Sequence, residues 1–188
     1  MKTRMILVAA PSGAGKSSLV DRVVKEIPVL EDVITYTTRA MRHHEVQGHP
    51  YHFIAEEDFQ TKIQSHFFVE WAKVHTSFYG TSMESLESAW GRNKVVIMDL
   101  DIQGVRTFKQ KLPEGLKTIF ILPPSLEELR RRIVARDKVV PADLEVRMKN
   151  AAIEMAESVH FDYKVVNADF EESYNKFKKL IEEILRLR

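Results

Sequence analysis

Short, continuous apolar runs alternate along the chain with segments of helical spacing. Met5-Ile6-Leu7-Val8 is apolar without interruption, as expected of a strand covered on both faces. Leu19, Val20, Val23 and Val24 recur at helical spacing directly afterwards. Residues 32–38 are rich in β-branched side chains and predict a second strand. A polar loop over 39–50 leads to residues 51–54, which alternate like a half-buried strand. A short helix is expected over 57–64 with Phe59 and Ile63 inward, then a strand over 67–74 that carries Glu70 among apolar neighbours. Residues 82–90 predict a helix with Ser82 as N-cap and Glu84 and Glu87 near its positive end.

The second half repeats the pattern. Residues 95–99 predict a buried strand ending in Asp99, and residues 118–122 another, closed by Pro123-Pro124. Ser125 with Glu128 three residues on forms a capping box for a helix reaching about Arg136. Pro141 suits the first position of a further helix reaching Glu157. Residues 162–166 are the last expected strand. Residues 171–188 are a long amphipathic helix with Tyr174, Phe177, Leu180, Ile181, Ile184 and Leu185 on one side. Buried strands alternating with helices argue for an α/β fold built on a parallel sheet, and 188 residues suit one domain.

Composition narrows the chemistry. A net charge of +1 gives no general case for nucleic-acid binding, so any phosphate recognition must come from locally placed arginines. With no cysteine, disulfides, thiolate metal sites and cysteine nucleophiles are excluded. No segment approaches the ~20 apolar residues that span a bilayer, and the first apolar run stops too soon at Pro11 to read as an export signal. His43, His44, His49 and His52 crowd one region, but their spacing fits no standard metal site, and a surface loop is the expectation.

The most informative stretch is Ala9-Ala10-Pro11-Ser12-Gly13-Ala14-Gly15-Lys16-Ser17-Ser18, between a predicted strand and a predicted helix. Glycines there permit the positive φ values that turn successive N–H groups into an anion-binding concavity, and the helix N-terminus adds its dipole. Lys16 is placed to reach β- and γ-phosphates, and the Ser17 hydroxyl to ligate Mg²⁺. Ala10 stands where the strict phosphate-loop pattern has glycine. Asp99, closing a buried strand, has the position of a Mg²⁺-associated carboxylate; Asp101 would face the same way if the strand continued, and is otherwise a turn or helix-capping residue. Arg132 and Arg136 are four apart and share a helix face.

Together with Thr37-Thr38-Arg39, Arg42 and Glu45, Gly48-His49-Pro50-Tyr51-His52-Phe53, Phe68-Val69-Glu70, Tyr79-Gly80-Thr81-Ser82, Asp99-Leu100-Asp101-Ile102-Gln103-Gly104 and Phe120-Ile121-Leu122-Pro123-Pro124-Ser125, this loop makes the chain resemble the guanylate kinases over nearly its whole length. The resemblance implies a three-layer P-loop NTPase core with a parallel sheet (1–32, 86–125, 158–188), a mixed αβ GMP-binding region (33–85) and a helical lid (126–157). It implies a Mg²⁺-dependent nucleoside-monophosphate kinase of purine metabolism that moves the ATP γ-phosphate to GMP or dGMP, giving ADP and GDP. Alternatives are a non-catalytic phosphoprotein-binding module on the same fold, or a kinase for another small phosphate acceptor. By the same likeness, residues 10–18 (Ala10, Pro11, Ser12, Gly13, Ala14, Gly15, Lys16, Ser17, Ser18) and Asn167 bind ATP, and Ser17 and Asp99 organise the metal, partly through water. Arg39, Arg42, Tyr51 and Tyr79 hold the GMP phosphate with Glu45 orienting the arginines, and Thr35, Glu70, Thr81 and Asp101 face guanine. Lys16, Arg39, Arg132, Arg136 and Arg147 serve catalysis.

The guanine assignment also has a chemical reason: guanine presents adjacent N1–H and N2–H donors that one carboxylate accepts together, whereas adenine N1 is an acceptor. The implied setting is cytoplasmic, a monomer or weak homo-oligomer, acting on ATP and GMP without nucleic acid or membrane. Departures from the family pattern fall at Met41 and His44, at Tyr36 and Phe78, and in the lid, where Asp137 is placed to compete for Arg136.

Overall fold

A computed structural model describes residues 3–43, 45–48, 51–74, 76–137 and 140–186. The elements in order are β1 (Met5–Ala9), α1 (Lys16–Glu26), β2 (Leu30–Glu31), β3 (Thr35–Thr37), β4 (Tyr51–Phe53), α2 (Glu56–Gln64), β5 (Phe68–Val74), β6 (Ser77–Ser82) and α3 (Met83–Gly91). They continue with β7 (Val95–Asp99), α4 (Ile102–Lys111), β8 (Leu116–Leu122), α5 (Leu126–Asp137), α6 (Leu144–Ala156), a 3₁₀ turn (Glu157–His160), β9 (Tyr163–Val166) and α7 (Phe170–Arg186).

Five strands form a parallel sheet in the order β2-β7-β1-β8-β9. The uninterrupted apolar run of β1 follows from its central place. Ile6 and Val8 point into a core with Leu19, Val20 and Val23 of α1 and Phe177, Ile181 and Ile184 of α7. Met5, Leu7 and Ala9 point the other way, against Leu86 and Ala89 of α3 and Val105 and Phe108 of α4. Helices on both faces make three layers, and each fully buried Ile, Leu or Phe contributes ~1.5–3 kcal/mol over an exposed one. Among the described residues no helix is long and apolar enough to cross a membrane.

A second, four-stranded sheet in the order β4-β3-β6-β5 stands beside the first. Its own small core is aromatic, with Phe59 of α2 stacked on Phe68 and Phe78 at centroid distances of 4.4 and 5.4 Å. Gly80 sits under these rings; a Cβ there would come within 2.9 Å of Phe68. A further cluster joins Leu129 and Ile133 of α5 and Leu144, Met148 and Ala151 of α6 to Ala14 in the phosphate loop.

Several expectations are corrected. Of the strand expected over 32–38 only Thr35–Thr37 forms, pairing with β4 and β6, and the unexpected Leu30–Glu31 before it pairs with β7 in the other sheet. The chain changes sheets between them. The helix expected from Pro141 starts at Leu144; Pro141 instead supplies the carbonyl that accepts the Leu144 N–H at 3.0 Å. Ser125 does cap α5, accepting the Glu128 N–H at 3.1 Å, but the Glu128 carboxylate does not return the bond and accepts from Arg131 and Arg132 instead. Strand β6 and helix α4 are not anticipated by the sequence pattern, although the helix-capping alternative for Asp101 holds. His44, His49 and the Asp137 side chain lie outside the described residues.

Candidate active site

The loop between β1 and α1 takes the conformation its glycines permit. Gly13 and Gly15 have φ of 92° and 87°, and Pro11 O accepts the Ala14 N–H at 3.0 Å. Gly15 is required twice: a side chain would be strained at its φ, and a Cβ would lie 2.4 Å from Asn167 Nδ2. That amide donates to Ala14 O at 2.7 Å and pins the loop to the segment after β9. Helix α1 opens with Lys16 and has no side-chain cap, so its first N–H groups remain available to an anion. Lys16 Nζ donates to Leu100 O at 3.2 Å and lies 3.4 Å from Asp99 Oδ2, while Ser17 Oγ donates to the same oxygen at 2.7 Å.

Facing this loop is a cleft of about 360 Å³ that brings Lys16, Ser17 and Asp99 together with Thr35, Tyr51, Glu70, Tyr79 and Asp101. Glu70 reaches it through an irregularity in β5. The register with β6 shifts between Phe68 and Glu70, and Phe68, Val69 and Glu70 are buried in succession where a regular strand would alternate. Glu70 is 6% exposed, and Thr81, fully buried, donates its hydroxyl to Glu70 Oε1 at 3.3 Å. Burial, followed by the Asp101 carboxylate, pushes the Glu70 carboxyl up to about 7 despite the Thr81 bond.

Asp101 does not extend β7, which ends at Asp99. It caps α4, accepting the Gly104 N–H on Oδ1 at 2.7 Å, and still lines the cleft.

Next to the cleft residues Tyr51 and Tyr79, Arg39 Nη2 donates to Glu45 Oε1 at 2.8 Å, and the Arg42 backbone N–H donates to Glu45 Oε2 at 2.8 Å. These two bonds hold the Glu45 carboxyl down at about 2. The Arg39 guanidinium lies 5.5 Å from the Tyr51 ring, which meets Tyr79 edge-on at 5.7 Å. Arg39, Glu45, Tyr51 and Tyr79 therefore form one cluster. Arg42 joins it through its backbone, with its side chain exposed.

The helical arginines sit apart from this cleft. Arg132 is committed: Nε donates to Glu128 Oε1 at 2.8 Å, Nη1 to Asn167 O at 2.9 Å and Nη2 to Ala168 O at 2.8 Å. Arg147 Nε donates to Asp143 Oδ2 at 2.9 Å, and Arg136 is exposed near the end of α5. Arg132 and Arg136 lie one turn apart on α5, and in this conformation Arg132 ties α5 to the segment carrying Asn167. No group of three or more potential metal-ligating side chains is found among the described residues. His43 is exposed, and His52 packs its ring on Tyr36 at 4.7 Å. Sequence reasoning gave no role to Asp32, which lines the cleft and whose carboxyl is pushed upward by burial and by Asp99. Nor did it give one to Gly104, whose position against two carboxylates has no local signal.

A parallel α/β sheet with a lysine-bearing phosphate loop, opening on a cleft lined by the buried Glu70 and by Asp32, Asp99 and Asp101, defines a P-loop NTPase fold. The family model for guanylate kinase matches residues 2–184. The chain is 60% identical over 185 residues to the guanylate kinase of Bdellovibrio bacteriovorus, covering 98% of this chain and 100% of that one. It is 40% identical to that of Wolinella succinogenes over 98% of this chain and 84% of the other. The crystal structure of guanylate kinase from Anaplasma phagocytophilum superposes with a TM-score of 0.75 at 27% identity, over 97% of this chain and 85% of that one. The chain belongs to the guanylate kinase family, and by that membership it is an enzyme, a nucleoside-monophosphate kinase.

Proposed function

We propose that this chain transfers the γ-phosphoryl group of ATP to GMP or dGMP, forming ADP and GDP. The observation that carries the reading is the buried Glu70, held by the Thr81 hydroxyl, lining the same cleft as Lys16, Ser17 and Asp99. When ionised, Glu70 offers two acceptors to the N1–H and N2–H of guanine, and adenine has no matching pair. Thr35 and Asp101 line the same cleft and face the base. Arg39, Arg42, Tyr51 and Tyr79 hold the acceptor phosphate, with Arg39 fixed by Glu45. The loop over 10–18 cradles the ATP phosphates. Asn167, whose buried Oδ1 has no partner among the described residues, stands on the adenine side.

A phosphate oxygen of GMP attacks the γ-phosphorus in line as the bond from that phosphorus to the bridging oxygen breaks, and ADP departs. Little covalent work falls to the protein; it positions the partners and stabilises charge. Lys16 neutralises the transferring group, and Arg136 and Arg147 reach it when the lid over 126–157 closes on the core and on the acceptor-binding region over 33–85. Closure excludes water and suppresses hydrolysis of ATP. Ser17 and Asp99, two hard oxygen donors sharing a 2.7 Å bond beside Lys16, suit Mg²⁺, with Ser17 as ligand and Asp99 acting partly through water. When bound, the ion neutralises charge on the β- and γ-phosphates. The reading places the enzyme in the cytoplasm, as a monomer or weak homo-oligomer that needs neither nucleic acid nor membrane.

A coupled assay of ATP against GMP, AMP, UMP and CMP tests the reading. GMP should exceed the others in kcat/KM by at least roughly a hundredfold, since mismatched buried donors and acceptors are costly. Equal use of AMP, or no turnover with any of the four, would overturn it.

A further inference from the structure

We infer that Gly104 is a positioning residue that sets base specificity: its bare Cα lets the carboxylates of Glu70 and Asp101 stand side by side as a joint acceptor edge for a 2-aminopurine. The inference rests on the reading that the acceptor base is guanine. Gly104 lies in the first turn of α4, and a Cβ there would meet Asp101 Oδ1 at 3.2 Å, Glu70 Oε2 at 3.2 Å and Leu100 Cβ at 3.4 Å. Both carboxylate contacts are tighter than ordinary van der Waals distance, so one or both oxygens would have to move.

Neither is free to do so. Asp101 Oδ1 accepts the Gly104 N–H itself at 2.7 Å, and Glu70 is buried with its other oxygen held by Thr81. Strand β5 cannot simply retreat, because Lys111 at the far end of α4 donates to Val69 O at 2.5 Å, one residue from Glu70. Helix α4 therefore meets the acceptor-binding sheet at both ends, through Lys111 at one and through the Gly104–Glu70 contact at the other.

Backbone geometry gives no reason for glycine here. Gly104 is helical and does not have a positive φ, and alanine is the better helix former at such a site. The local fold favours a side chain, and the two carboxylates exclude it. A glycine kept against helix propensity inside a helix points to a close approach, and in this protein the approaching groups are the two that face the base.

The test is Gly104→Ala, assayed with GMP and with inosine monophosphate, whose base keeps N1–H and lacks the 2-amino group. The melting temperature should change little, because the gain in helix propensity offsets the strain of displacing a carboxylate. The KM for GMP should rise roughly tenfold or more, as when a hydrogen bond to a charged group is misaligned, while the KM for ATP stays put. The preference for GMP over inosine monophosphate should fall by a similar factor. Shortening the displaced side chain should relieve the clash, so adding Gly104→Ala to Glu70→Asp should cost GMP binding far less than it costs the parent enzyme. An unchanged GMP KM with an unchanged preference overturns the inference, as does a purely additive double variant or a uniform loss toward both nucleotides and ATP. A parent enzyme without preference for GMP over AMP would instead overturn the underlying reading, whatever Gly104→Ala does.

Discussion

Replacing Glu70 with glutamine separates what this residue costs the fold from what it contributes to binding. In the folded protein its carboxyl is pushed from an ordinary 4.5 to about 7, chiefly by burial. For a carboxyl with a raised pKa, the folded state holds a proton that the unfolded chain has already released. Stability is therefore fully present below the ordinary value and is lost as pH rises through the folded one. At about 1.4 kcal/mol per pKa unit, the ionised Glu70 costs the fold on the order of 3 kcal/mol above neutrality. Glutamine does not titrate, so Glu70→Gln should match the parent near pH 5 and exceed it near pH 8 by about 3 kcal/mol. For a chain of this size that is a difference of roughly 5–10 °C in melting temperature. Asp32, whose carboxyl is also pushed upward, titrates in both proteins and cancels from the difference.

Function should move the other way. The glutamine amide presents a donor where guanine also presents donors, and GMP affinity should fall roughly a hundredfold with ATP affinity unchanged. In the parent, GMP must displace a proton below pH 7, so its affinity should weaken as pH falls. Subtracting the behaviour of the glutamine variant removes the titration of the GMP phosphate itself. Thermal melts and GMP titrations from pH 5 to pH 8 read both quantities. A melting difference that does not change across that range would refute the reasoning, because it would mean that Glu70 is not titrating under burial.

Lys16→Ala should abolish turnover, by roughly a thousandfold or more, while GMP binding measured by calorimetry persists; an active variant would remove the mechanism. Gly15→Ala should destabilise the fold by about 2 kcal/mol or more, from its φ of 87° and the clash with Asn167, and should weaken ATP binding; a denaturation midpoint equal to the parent's would contradict this. Arg132→Ala should raise the KM for ATP, because its two bonds to Asn167 O and Ala168 O hold the 167–168 segment against α5, and hydrogen exchange at 167–168 should accelerate. A loss confined to kcat would return Arg132 to direct contact with phosphate.

What could be read from the sequence follows the range of the interactions. The phosphate loop was legible because its strand, glycines, lysine and helix are contiguous, and the burial of Glu70 showed as a charge within an apolar run. The amphipathic face of α7 was equally plain. Strand β6 escaped because Ser77–Ser82 carries little apolar pattern; its place is set by pairing with β3 and β5 and by Gly80 beneath the rings of Phe59 and Phe68. Residues 32–38 read as one strand because β-branched residues suit any sheet, but residues 32–34 are where the chain crosses from the sheet of β2 to that of β3, and only the partners decide that. The anchoring of Arg132 was illegible for a different reason: two of its acceptors are backbone carbonyls about 35 residues away, and a carbonyl has no residue signature. Gly104 shows the same limit, since its neighbours Glu70 and Asp101 meet only when α4 docks on β5.

Following the γ-phosphoryl group itself is the most direct test. With ATP labelled at that position and Mg²⁺ present, nucleotides separated after single and multiple turnovers with GMP should carry the label in GDP, with little in inorganic phosphate, and AMP in place of GMP should give no labelled ADP. Label released mainly as inorganic phosphate, or transferred equally to AMP, would contradict a guanine-specific kinase that closes against water.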